Sequence, residues 1–265
     1  LTVDNTAPVV TVNVLNTNDA QPQLTGTVNE NSATIRVSVG GQINLVAVNN
    51  ANGTWTLADN TINPALAAGT YNVSVTATDT LGNAGSDATT NELVIDLTAP
   101  VVGVNTLTTN DNRPALTGTV NDNSAAISVT VGGQTHTATN NANGTWTLAN
   151  DTINPALAQG TFNVSVTATD LAGNAGADAT NNELRIDTTA PTVTVSTLVT
   201  NDNRPALGGT VNDTTATIRV DVGGQTNLVA TNNGNGTWTL ADNTINPALA
   251  SATYNVVVRA TDAAS

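Results

Sequence analysis

Asn52-Gly53-Thr54-Trp55-Thr56-Leu57 returns as Asn143-Gly144-Thr145-Trp146-Thr147-Leu148 and again as Asn235-Gly236-Thr237-Trp238-Thr239-Leu240. Working outward, Thr-Ala-Pro ends at Pro8, Pro100 and Pro191, in steps of 92 and 91, while the Trp steps are 91 and 92. The mismatch places a one-residue deletion in the second copy, after Gly132-Gly133-Gln134. Trp55–Pro100 and Trp146–Pro191 share 36 of 46 positions. A solenoid unit runs about 20–50 residues, so a period near 91 is a whole domain repeated.

Each copy reads as about seven strands. In the first, strand A lies near Val9–Val14 and strand B at Leu24–Val28, with Leu24, Gly26 and Val28 on one face. Strand C points Ile35, Val37 and Val39 inward. Gly40-Gly41 makes a tight hairpin to strand D, near Ile43–Val48. Strand E sets Trp55 and Leu57 on one face. Strand F alternates Tyr71, Val73, Val75 and Ala77 inward, and strand G ends on Leu93 and Ile95. Alternation with one wet face is the mark of antiparallel sheets. The expected fold is all-β: tandem immunoglobulin-like Greek-key β-sandwiches in an extended rod. Residues 1–3 are the tail of a preceding copy. Repeat one spans 4–96, repeat two 97–187 and repeat three 188–265, the last lacking strand G, so that its strand F should form an open edge.

Composition narrows the function. Of 265 residues none is Cys or Met, which excludes disulfides and thiolate chemistry and reads as a segment cut from a longer protein. No membrane span or signal peptide is visible, so a targeting signal would lie outside the segment. Twenty acids stand against six Arg, for a formal charge of −14, which argues against nucleic-acid or membrane partners. The three Trp are equivalent mid-strand residues and read as core. His136, the single histidine, is not repeated and does not support a triad or a zinc site. Gly82-Asn83-Ala84-Gly85 and Gly173-Asn174-Ala175-Gly176 read as F–G turns that open no helix, so they cradle no phosphate. With aromatics at 2%, a sugar-stacking platform is not evident.

The acids recur in register. In a Greek-key sandwich one pole collects the linker (Asp4, Asp96, Asp187), the B–C loop (Glu30, Asp122, Asp213) and the end of strand F (Asp79, Asp170, Asp262). The opposite pole carries Asp19, Asp111 and Asp202 in the A–B loop, facing the next linker. Any one Asp reads equally well as a turn cap. Three carboxylates meeting at one joint repel unless a cation joins them, and Ca²⁺, which takes six to eight oxygens in flexible geometry, suits such a site.

Asp-X-Thr-Ala-Pro, Thr-Asn-Asp-Asn-Arg-Pro-Ala-Leu-Thr-Gly-Thr-Val, Gly-Gly-Gln, Asn-Gly-Thr-Trp-Thr-Leu and Val-Thr-Ala-Thr-Asp-X-X-Gly-Asn together resemble the bacterial Ig-like repeats of giant repeats-in-toxin adhesins, over nearly the whole chain. The resemblance implies an extender on the bacterial cell surface that holds a distal ligand-binding domain away from the cell and is stiffened by Ca²⁺ at its linkers. It favours the linker Asp and the Asp ending strand F as ligands. The partners expected are neighbouring repeats of the same, monomeric chain. Two other readings stand beside this one: a module that itself binds glycan, cell or ice, and an accessory domain of a secreted enzyme.

Overall fold

The computed structural model describes residues 3–264; Leu1 and Thr2, part of the expected tail of a preceding copy, lie outside the described residues. The described chain is all β. The first copy holds β1 (Leu15–Thr17), β2 (Leu24–Thr27), β3 (Thr34–Val39), β4 (Gln42–Asn49), β5 (Thr54–Leu57), β6 (Gly69–Tyr71), β7 (Val73–Thr78), β8 (Ala84–Ser86) and β9 (Leu93–Ile95). The second holds β10 (Val102–Val104), β11 (Leu107–Thr109), β12 (Leu116–Val120), β13 (Ala126–Val131), β14 (Gln134–Asn140), β15 (Thr145–Leu148), β16 (Gly160–Phe162), β17 (Val164–Thr169), β18 (Ala175–Ala177) and β19 (Leu184–Ile186). The third holds β20 (Leu207–Thr210), β21 (Thr217–Val222), β22 (Gln225–Asn232), β23 (Thr237–Leu240) and β24 (Val256–Thr261). Each copy encloses its own apolar core.

Alternation sets the burial. Ile35, Val37 and Val39 of β3 and Val73, Val75 and Ala77 of β7 are buried, while Arg36 and Ser74 face water. Gly40 and Gly41 take φ of 58° and 83°, both in the left-handed region that a two-residue hairpin between β3 and β4 needs. The Trp is the centre of each core. Its indole N–H donates to a strand-A carbonyl: Trp55 to Thr11 at 2.9 Å, Trp146 to Gly103 at 2.9 Å, Trp238 to Thr194 at 2.8 Å. Burying so large a ring needs such a partner for its one polar atom. The approach is possible because Gly26 stands opposite. A Cβ there would lie 1.9 Å from the Thr11 carbonyl oxygen and 2.6 Å from Trp55 Nε1.

Three strand expectations are corrected. Strand A divides: in the first copy Val10 makes one bridge to Val28, and the regular segment is β1, which runs parallel to β9. Strand F also divides. β6 pairs with β9 in one sheet, and β7 pairs with β3 in the other, so Tyr71 belongs to a different sheet from Val73. Finally, Ala84–Ser86, read as part of a turn, forms β8 against β7. The reason is that a strand crossing between the two faces must break its ladder. The amide freed at the crossing is met by a buried acid: Val73 N–H donates to Glu92 Oε2 at 2.9 Å and Val164 N–H to Glu183 Oε2 at 2.9 Å. Both glutamates are 2% exposed.

The third copy has the sheet β20-β23-β22-β21-β24 and, among the described residues, no strand beside β24 other than β21. A groove of about 780 Å³ opens there, lined by Val195, Leu198, Leu249, Tyr254 and Val256 among others.

Candidate cation-binding joints between the domains

All twelve sequence-predicted acids cap a turn of their own. The linker carboxylates of Asp4, Asp96 and Asp187 accept the amides of Thr6, Thr98 and Thr189. In the B–C loop Asp122 Oδ1 takes both the amide and the hydroxyl of Ser124 at 2.7 Å, Asp213 does the same with Thr215, and Glu30 takes the Ser32 hydroxyl. In the A–B loop Asp19, Asp111 and Asp202 accept the amides of Gln21, Arg113 and Arg204. Asp262 accepts the amide of Ala264.

The acids ending strand F hold the most bonds. Asp79 Oδ1 accepts the amides of Leu81 and Asn83, and its Oδ2 accepts the Asn83 side-chain amide at 2.7 Å. That side-chain bond, with the backbone amides of the turn, lowers the Asp79 pKa in spite of partial burial. At Asp170 desolvation acts in the opposite sense but is outweighed by the Asn174 side chain and the amides of Asn174, Ala172 and Gly173, so its pKa is lowered too. These carboxylates stay ionised because their turn is built around the charge.

The joints are closed by backbone. Asp96 donates its N–H to Thr17 O of the first domain at 3.0 Å, and its carbonyl accepts Asn174 Nδ2 of the second at 2.8 Å. Asn174 therefore ties the F-end acid to the linker. The A–B loop of one domain then reaches the F–G turn of the next: Asn18 N–H donates to Ala172 O at 3.0 Å, and Asn110 N–H to Ala264 O at 2.9 Å. Gly176 admits the linker, since a Cβ there would lie 1.7 Å from the Pro100 carbonyl oxygen. Asn83 and Asn174 were missed as joint residues when the sequence alone was read. The signal was present, as Asp-X-X-Gly-Asn in both copies.

At the second joint one cleft of about 250 Å³ gathers Asp187, Asp213 and Asp262, from linker, B–C loop and strand-F end, together with Arg185 and Gln159. Even so, among the described residues no three acidic side chains are drawn close enough to form a metal cage. The donor chemistry at the first joint fits a hard divalent ion: Asp96 and Asp122 each keep Oδ2 without a hydrogen bond among the described residues. The second joint differs, because the Asp187 carboxylate is already occupied. Arg185 Nη2 lies 2.9 Å from its Oδ2, and Gln159 Nε2 lies 3.4 Å from its Oδ1.

His136 sits opposite Val129 on β14, at the position that Leu45 and Leu228 fill in the other copies. Its Nε2 is buried without a hydrogen-bond partner among the described residues. Among the described residues no helix is long and apolar enough to cross a membrane.

The chain matches the bacterial Ig-like domain family over residues 12–97, 103–188 and 193–265. It belongs to that family. These bacterial Ig-like domains are structural and non-enzymatic, in agreement with the absence of a catalytic constellation from the sequence reading. No curated protein sequence matches the chain. Among solved structures it is similar to a tetra-tandem repeat from the extending region of a large adhesion protein (23% identity, 97% of this chain and 75% of that one, TM-score 0.34). It is also similar to a Ca²⁺-stabilized, ice-binding adhesin of an Antarctic bacterium (21%, 97% and 74%, 0.37) and to a 1.5-MDa bacterial ice-binding adhesin (22%, 98% and 95%, 0.37).

Proposed function

We propose that this chain is an extender segment of a bacterial surface adhesin: a string of bacterial Ig-like domains, stiffened by Ca²⁺ at the linkers, that projects a distal ligand-binding domain from the cell. The observation that carries it is the linker Asp. Asp96 is bonded through its backbone to the domains on both sides, while its carboxylate keeps one oxygen, Oδ2, without a hydrogen bond among the described residues. A ligand at that carboxylate acts on both domains at once.

Asp96, Asp122 and Asp170 at the first joint would hold the ion, with Asp4, Glu30 and Asp79 ahead of the first domain. Asp19, on the A–B loop of the first domain, faces the first joint, and Asp111, on that of the second domain, faces the second joint. What the ion supplies is positive charge among carboxylates that otherwise repel. A site assembled from separate loops is weak, and extracellular modules bind Ca²⁺ at about 10⁻⁴–10⁻³ M. Such affinity suits the millimolar calcium outside a cell, and it leaves the joints loose where calcium is scarce.

Small-angle scattering of the whole chain tests this. Adding about 2 mM Ca²⁺ to the chelated chain, above the dissociation constants typical of such modules, should raise the maximum dimension and narrow the distribution of shapes. Asp96→Asn should blunt the response. An unchanged profile in calcium and in chelator refutes the stiffening.

A further inference from the structure

Two of the aligned positions at which the joints differ change the surroundings of the linker acid most. Where the first has Val94 and Ala68, the second has Arg185 and Gln159. Val94 lies between Leu93 and Ile95 on β9, and Arg185 between Leu184 and Ile186 on β19, so each points away from the core in the middle of its strand. Arg185 stands two residues before Asp187, on the same face, and reaches it at 2.9 Å. Gln159 closes the other side. Its Nε2 approaches Asp187 Oδ1, and its Oε1 accepts the hydroxyls of Thr188 at 3.2 Å and Thr189 at 2.9 Å. With the Thr189 amide, three donors hold one carboxylate, and its side chain is only 17% exposed. At the first joint the amide of Thr98 is the one hydrogen-bond donor to the Asp96 carboxylate among the described residues.

The guanidinium reaches further than its nearest partner. Asp213, across the same cleft, has its pKa lowered first by the amide and hydroxyl of Thr215 and in addition by the charge of Arg185. Arg185, the linker acid and the B–C acid line one cleft, with the guanidinium on the linker acid. A permanently charged, planar donor there does the electrostatic work of an ion without being able to leave.

We propose that the second joint carries its own cation: Arg185, oriented by the cleft and backed by Gln159, holds Asp187 and Asp213 together without metal, whereas the first joint depends on a bound divalent ion. The chain is then stiffened unevenly, with one permanent joint and one that responds to calcium. The calcium half of this statement rests on the function proposed above; the arginine half does not.

The absence of native Cys makes a direct test simple. Val46, Thr137 and Val229 are exposed and occupy matching places on β4, β14 and β22. Pairs of spin labels at Val46→Cys with Thr137→Cys, and at Thr137→Cys with Val229→Cys, report the first and second joints in the full chain. In chelator the 137–229 distance distribution should be narrow and the 46–137 distribution broad. Calcium should narrow the 46–137 distribution about twofold or more and leave the other nearly unchanged, since a ligand shifts only the equilibrium it binds differentially. Arg185→Val, which installs the residue of the first joint, should broaden 137–229 in chelator about twofold. Asp187→Asn should do the same, and the double variant should add nothing further, as for two partners in one contact. A 137–229 distribution unmoved by Arg185→Val in chelator overturns the proposal, and so do additive effects of the two variants. If calcium moves neither pair while Arg185→Val still broadens 137–229, the calcium reading fails and the arginine joint stands.

Discussion

Gly26 shows how much one missing side chain carries. The Thr-Gly-Thr of strand B reads in the sequence as ordinary alternation, with Gly26 on the inward face. In the structure that glycine is the space through which the strand-A carbonyl reaches the indole of Trp55. Gly118 and Gly209 repeat the arrangement with Trp146 and Trp238. Gly26→Ala should therefore destabilise the first domain by about 1–3 kcal/mol, the usual cost of overpacking, seen as a lower thermal midpoint. A wild-type midpoint in that variant would show that the contact is unimportant. Truncating the Trp itself should cost more, about 3–5 kcal/mol.

At the scale of elements, two of the departures from the sequence reading, strands A and F, are strands that cross between sheets. β6 and β7 are one continuous stretch of chain with unbroken alternation from Tyr71 to Ala77. Period two reports which face a residue takes; it does not report which neighbour its backbone pairs with. The break at Asn72 is legible only once Glu92, nineteen residues beyond Val73, is seen to accept the Val73 amide from inside the core. Leaving that amide bare costs about 1–3 kcal/mol. Glu92→Ala should lose this much in denaturant melts of the full chain, while Glu92→Gln, which keeps an acceptor oxygen, should lose less. Equal losses would place the effect in packing and not in the hydrogen bond. Glu183 plays the same part in the second domain.

At the scale of the whole molecule the three copies are alike in sequence and unequal in structure. β7 and β17 are paired on both sides, by β3 and β8 and by β13 and β18. Among the described residues β24 is paired by β21 alone, and its inward residues Val256 and Val258 are only partly covered. Amide hydrogens of β24 should exchange well before those of β7 and β17, because edge backbone opens locally at low cost; uniform protection across the three strands would contradict this ranking. The fold class, the repeat, the Trp cores and the Gly40-Gly41 hairpin were all legible in the sequence, because periodicity, size and turn chemistry are local properties of a chain. The gathering of Asp187, Asp213 and Asp262 in one cleft follows from the Greek-key order assumed for the sequence. Only the tertiary structure decided what each carboxylate touches: that Asp79 and Asp170 each accept the Asn side chain of their own turn, that Asn174 stitches linker to turn, and that Arg185 fills at Asp187 what stays open at Asp96. Those contacts join residues far apart in sequence or on separate domains, and the distance between two charges, which sets their interaction, is a property of the folded chain alone.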